Sequence, residues 1–306
     1  MIRRITFKKI CLTSLLLLVA FLLYNYPEGL DKHIDSEFNN KCNNIYLIDD
    51  NNLVAMTSIY TVNDELDKQI KDTIDNLTIG LKKDLPNNLK PVIPLNTKLL
   101  SFGVQDKLLK INFSKEFNSI NEEQEEQMIE ALTYSLTELN GIDKIMIFVE
   151  NKQLTSLPNS KKILPLYLDR SFGINKIYNI TKIKNAKMIT TYYIDVDNHY
   201  YIPISKLIND DNDKVDIIIK QLKTTTFNNS NLSSKINNQL ELMNYEILND
   251  AISMNFNSLL LDSIYEGKLI EEVKYAISYS IHDTLGIKNF TFKVNDMDID
   301  YFRLAN

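Results

Sequence analysis

The passage ALTYSLTELNGIDKIMIFVEN at 131–151 returns as AISYSIHDTLGIKNFTFKVND at 276–296. In register, Ala131, Tyr134, Ser135, Gly141, Ile142 and Val149 meet Ala276, Tyr279, Ser280, Gly286, Ile287 and Val294. A chain that writes a helix pattern, a glycine stop and a strand pattern twice is read as two copies of one supersecondary plan. Its 306 residues leave room for two modules of ordinary size, each with its own core.

The rest of the sequence fits that duplication. IYLI and LVAMTSIY flank the turn-forming DDNN and read as a hairpin. Leu66, Ile70, Ile74 and Leu77 then recur at helical spacing, with Asn63 or Asp64 as N-cap and Gly80 as stop. TKLLSFGVQDKLLKINFS predicts a second hairpin around Gln105 and Asp106, with Ile111 and Phe113 on its core face. The acidic NEEQEEQ opens the next helix, whose core face carries Met128, Leu132 and Leu136. In the second copy YYIDVDNHYYIPIS at 192–205 is set against 45–58, NDKVDIIIKQLK is helical, and Phe256 of MNFN takes the place of Phe113. Val273, Ile277 and Ile281 form the core face of the last helix.

Paired strands separated by helices predict an α+β fold: two tandem repeats of a small mixed sheet plus two helices, the helices on one face. The first domain spans 43–151 and the second 191–300. The connector 152–190 is too apolar around Leu164, Leu166, Tyr167, Leu168, Phe172 and Ile174 for a free tether, so it is expected to pack between the modules and fix their angle.

The N-terminus gives the expected location. A basic segment, 1–9, with Arg3, Arg4, Lys8 and Lys9, precedes the apolar stretch 10–26 and a linker, 27–42. That order predicts a cytoplasmic start, one transmembrane helix and an extracytoplasmic remainder. No small-x-small site follows the apolar run, so an uncleaved anchor is favoured over a cleaved signal peptide. Cys11 and Cys42 lack the preceding small residues of a lipid-modified cysteine, and Cys42, alone outside the apolar stretch, has no intramolecular disulfide partner.

Reactive constellations are missing from the pattern. His33, His199 and His282 show no metal-pair spacing, and DVDNH at 195–199 continues with Tyr200 where a calcium loop needs glycine. No catalytic, cofactor-binding or metal residues are assigned, and the chain is read as a non-enzyme. The acidic runs near Glu122 and Asp210 are explained by helix starts. A net charge of -6 without a basic stripe argues against nucleic acid. Tyr192, Tyr193, Tyr200 and Tyr201 cluster on one expected hairpin and are the candidate interaction residues, against the alternative of cross-strand packing.

The residues IPLNTKLLS, INFS and ALTYSLTEL of the first copy, with RSFGINK after it, resemble the GerMN domain family of sporulation and spore germination proteins. The second copy is more degenerate, KINNQLELM standing where VIPLNTKLL stands. The resemblance implies a fold akin to ring-building motifs. It also implies work between the mother-cell and forespore membranes, with envelope or sporulation channel proteins as partners, in a homo-oligomer or ring. The alternative is an envelope glycan- or peptide-binding module.

Overall fold

The computed structural model describes residues 41–61, 65–81, 85–86, 88–178, 186–197, 200–224 and 232–304. The expected anchor at 10–26, together with Asn63, Asp64 and His199, lies outside them. Among the described residues no helix is long and apolar enough to cross a membrane. The chain divides after Lys41, and Cys42–Asn306 form one compact unit.

The first module runs β1 (Lys41–Asp49), β2 (Val54–Thr61), α1 (Leu66–Leu77), β3 (Leu89–Lys90), β4 (Leu99–Gln105), β5 (Leu108–Phe113), α2 (Glu125–Thr137), β6 (Lys144–Val149) and β7 (Lys152–Gln153). The second runs β8 (Lys187–Asp195), β9 (Tyr201–Ile208), α3 (Lys214–Leu222), β10 (Leu232–Ser233), β11 (Leu242–Leu248) and β12 (Ala251–Phe256). A small hairpin, β13 (Ile264–Tyr265) and β14 (Lys268–Leu269), then leads to α4 (Glu271–Leu285), β15 (Asn289–Val294) and β16 (Met297–Arg303).

The sequence reading gives each module one mixed sheet, and the structure partitions the strands differently. The leading hairpins of both modules join in one six-stranded sheet of order β10-β8-β9-β2-β1-β3. Each module keeps a separate four-stranded mixed sheet, β4-β5-β6-β7 or β11-β12-β15-β16. In these, β5 pairs parallel with β6 and β12 with β15. Parallel neighbours need a crossover, which α2 and α4 provide.

Both crossover helices are buried well beyond a single stripe. Every residue of α2 from Met128 to Leu136 is buried, as is every residue of α4 from Ala276 to Ile281. α4 lies along β8 on one side and, through the edge-on Tyr275 and Phe302 rings, against β16 on the other. A helix between two sheets has no solvent face along its middle, and for that reason its sequence reads as weakly amphipathic. Ile111, Phe113, Leu132, Leu136, Phe256, Ile277 and Ile281 are all fully buried.

The repeated letters have matching structural tasks. Asn112 of INFS donates through its amide to Asn151 Oδ1 at 2.8 Å and accepts from the Asn151 N–H at 2.9 Å. Asn255 of MNFN does the same with Asp296, at 2.7 and 3.2 Å. Both tie β5 or β12 to the tight turn after the neighbouring parallel strand, where Glu150 and Asn151, or Asn295 and Asp296, have positive φ. The hairpin between β4 and β5 turns at Asp106 and Lys107, one residue later than expected.

The leading hairpins differ by one residue in their turns. Asp49 N–H donates to the Leu53 carbonyl at 2.8 Å, whereas Asp195 N–H donates to the Tyr200 carbonyl at 2.9 Å. Tyr46 N–H bonds Ser135 Oγ and Tyr192 N–H bonds Ser280 Oγ, each at 2.9 Å. Tyr46 is therefore the counterpart of Tyr192, one residue away from the register read in the sequence. In a strand that step exchanges the two faces.

Since the two hairpins share one sheet, the body should unfold as one cooperative unit. Leu132→Ala or Ile277→Ala removes a fully buried side chain and should cost about 2–5 kcal/mol. Urea denaturation followed by circular dichroism should show one transition, displaced as a whole by either variant. Two steps, with only one displaced, would contradict a common sheet.

Candidate functional site

The polar groups of the described body converge on the seam between the modules, at the connector residues RSFGINK, 170–176. Asp169 accepts from the Ser171 N–H at 2.9 Å and starts the short turn Arg170–Phe172. Gly173 follows at φ 80°, where a Cβ would lie 3.1 Å from Lys176 Cγ and 3.2 Å from Ser205 Cβ. Left-handed backbone and close approach both favour glycine there.

Arg170 reaches between the two crossover helices. One arm of its guanidinium pairs with Glu138 just after α2, and the other with Asp283 on α4. Those acids are counterparts in the internal repeat. Asp283 also accepts from Tyr192 Oη at 2.6 Å, and Glu138 from Asn44 Nδ2 at 2.9 Å. The Tyr46 and Tyr192 hydroxyls meet at 3.0 Å. Because the single hydroxyl hydrogen of Tyr192 goes to Asp283, Tyr46 is the donor in that pair. Burial works against the charge of Arg170, yet Asp283 and Glu138 outweigh it and raise its pKa. Burial, as the leading cause, raises the pKa of both tyrosines.

Asn175 closes the other side of the seam. β2 and β9 run antiparallel with Met56 opposite Tyr201, which sets Val54 opposite Pro203. Pro203 has no N–H to give to that ladder. The Asn175 amide takes its place, donating to the Val54 and Pro203 carbonyls, each at 2.8 Å, and accepting from the Val54 N–H at 2.8 Å. Its own N–H is held by Glu130 at 2.9 Å. Lys176 bridges Glu126 at 2.9 Å and Glu130 at 3.2 Å, with its Nζ 3.5 Å from the Phe172 ring centre. Burial pushes the Glu130 carboxyl up to about 7, against the opposing pull of Lys176.

The four candidate tyrosines do not form an exposed face. Tyr192 and Tyr193 are 0% and 1% exposed, and Tyr200 is 7% exposed. Tyr201 is half-buried, its ring 5.8 Å from Tyr275 and 6.2 Å from Tyr279. Tyr192 instead belongs to the seam. The signal that could have found Arg170 and Asn175 is RSFGINK itself, a polar, glycine-bearing stretch inside an apolar connector.

The site offers positions for contact and little for chemistry. His282 Nδ1 lies 3.0 Å from the Ile287 carbonyl, and burial, with the Arg170 charge, lowers its pKa. Asp195 accepts from the Asp197 N–H at 3.0 Å and makes a turn. Asp213 caps α3 through the Val215 N–H at 3.1 Å. Among the described residues no group of three or more His, Cys, Asp or Glu is placed to hold a metal ion.

Duplicated α+β modules joined through a common sheet, with buried polar groups given over to the seam, define a class of tandem-module protein. Residues 44–155 match the family described as Germane, sporulation and spore germination. The spore germination protein GerM of Bacillus subtilis (strain 168) is 25% identical over 260 residues, covering 82% of this chain and 70% of that protein. The solved tandem GerMN domains of the sporulation protein GerM from Bacillus subtilis superpose with a TM-score of 0.75 at 23% identity, covering 84% of this chain and 91% of that one. Residues 44–155 thus match that family, and the fold of the described body is that of tandem GerMN domains.

Arg170→Ala leaves Glu138 and Asp283 facing each other without their cation and should destabilise the fold by about 3–5 kcal/mol in urea titrations. Arg170→Lys should restore only part of this, because one ammonium cannot span both acids as the guanidinium fork does. Full rescue by lysine would contradict the fork. Glu130 gives a pH test. Its folded pKa, about 7, exceeds its ordinary value of 4.5, so between these values the folded state holds a proton that the unfolded state has lost. Its contribution to stability therefore falls as pH rises through that window. Urea midpoints of Glu130→Gln should gain on the parent as pH rises from below 4.5 to above 7; a constant difference would contradict the assignment.

Proposed function

We propose that the chain is a membrane-anchored, extracytoplasmic assembly protein of sporulation and spore germination, a non-enzymatic component of an envelope-spanning ring or channel complex between mother cell and forespore. The observation that carries this reading is the seam. Arg170 and Asn175 hold two modules in one fixed arrangement, which suits a protein whose task is to present surfaces at a set spacing. The basic and apolar N-terminal segments support the anchor, and likeness to a protein called a spore germination protein supports the process. Heterologous contacts between rigid units repeated about an axis close into rings. The domains proposed for this work are 43–151 and 191–300, joined by 152–190.

The test is a deletion strain carrying an epitope-tagged copy. The deletion should lower the yield of spores or their germination, and the tagged chain should sediment with membranes in a high-mass, detergent-extracted complex. A soluble monomer, or a deletion without effect on either process, would overturn the proposal.

A further inference from the structure

Ile163 is 88% exposed, Leu166 65%, Tyr178 64% and Tyr167 42%, all in the segment between the modules. They line one cleft of 710 Å³, floored by the buried Leu157 and the half-buried Phe172. The backbone there is fixed. Ser156 pairs with Ile163 in an antiparallel bridge, and Ile145 pairs with Leu168 through two hydrogen bonds of 2.8 Å. Ile163 and Leu166 are thus held outward by paired chain on both flanks. A concentrated apolar exposure of this kind marks a contact surface.

The charges at one end of the cleft say what kind of surface approaches it. Glu126 belongs both to this cleft and to a neighbouring one of 820 Å³, whose wall carries Glu122 and Glu123. The two lysines at the junction are committed, Lys162 to Glu126 at 2.8 Å and Lys176 to Glu126 at 2.9 Å. Glu125 is committed as well, accepting from the Asn159 and Ser160 N–H groups at 2.7 and 2.9 Å. Glu122 and Glu123 are exposed and make no ion pair among the described residues. Among the described residues, the trough therefore leads through Glu126 into a cleft whose acids Glu122 and Glu123 have no ion pair.

We propose that this trough is the docking site for a basic amphipathic segment of a protein partner, whose apolar side chains cover Ile163, Leu166 and Tyr178 while its lysines or arginines meet Glu122 and Glu123. The proposal rests on the assembly reading and names the surface through which one contact is made. The acidic rim disfavours the other occupant of an apolar trough, a membrane surface carrying anionic lipid.

The test uses the full chain in nanodiscs of zwitterionic lipid, with empty nanodiscs as baseline. Three labelled synthetic peptides are titrated by fluorescence anisotropy: a Lys/Leu amphipathic helix, its Glu/Leu counterpart and a Lys/Ser peptide lacking the apolar face. The Lys/Leu peptide should bind saturably and the other two should not. The double variant Ile163→Asp/Leu166→Asp should weaken binding roughly tenfold or more, since each loses an apolar contact on the order of a hot-spot residue. Glu122→Lys/Glu123→Lys should weaken it comparably at low salt and less at high salt. All four positions are exposed, so an unchanged urea midpoint certifies the fold of each variant. Equal binding by parent and Ile163→Asp/Leu166→Asp, equal binding of the Glu/Leu peptide, or no binding of the Lys/Leu peptide would overturn the proposal. Retention on anionic vesicles that Ile163→Asp/Leu166→Asp abolishes would do the same, assigning the trough to lipid. In cells the two readings separate. If the parent chain enters a high-mass membrane complex and the apolar double variant enters it equally well, the trough assignment fails and assembly stands; if the parent does not enter one, assembly itself fails.

Discussion

One guanidinium, held between two carboxylates from equivalent places in two repeats, is the constraint on which the arrangement of this protein depends. Arg170 comes from neither helix that it joins. It is carried on the connector, and it links Glu138 beside α2 to Asp283 on α4. Two buried acids facing each other would repel, and a buried cation alone would be strongly disfavoured. Together, with Tyr192 and Asn44 filling the remaining acceptor positions, they specify one relative placement of the modules. Buried ion pairs contribute little to net stability when compared with a well-packed apolar replacement, and their known value lies in register. Register is what a seam between two similar modules needs.

The same logic explains Asn175. Pairing β2 with β9 joins a strand to the counterpart of itself, as a twofold dimer would, and such pairing is prone to slip unless something marks the register. Pro203 removes one rung from the ladder, and a side-chain amide from the connector refills it. Only the register that sets Val54 opposite Pro203 brings the two carbonyls and the N–H to that amide. The connector is therefore a third structural participant, with its charged head on the helices and its amide in the sheet.

Much of this fold was legible in the residues. Gly286 caps α4 as expected, whereas α1 and α2 end at Thr78 and Glu138, before Gly80 and Gly141. The alternating apolar strands around Phe113 and Phe256, and the recurrence of Ala131, Tyr134 and Ser135 as Ala276, Tyr279 and Ser280, mark elements at the expected places. What could not be read was how strands distribute between sheets. Hydrophobic periodicity reports which face of an element is buried and not which element covers it, so the pairing of β2 with β9 left no local trace. The tyrosines illustrate the same limit. Tyr192 is an aromatic residue of a hairpin in sequence, and only the fold shows its hydroxyl bound to Asp283 and in contact with Tyr46. The seam itself was half visible: RSFGINK stood out as a motif, but the acids that Arg170 binds lie on distant helices.

The central claim is that the connector residues fix the two modules at one separation. The direct measurement is a distance distribution between spin labels at Ser101 on β4 and Asn244 on β11, both exposed, with Cys11 and Cys42 replaced by serine. The parent should give one narrow distribution, and Arg170→Ala combined with Asn175→Ala should broaden or shift it while each module keeps its helical signal. A broad distribution in the parent, or an unchanged narrow one in the double variant, would contradict the account.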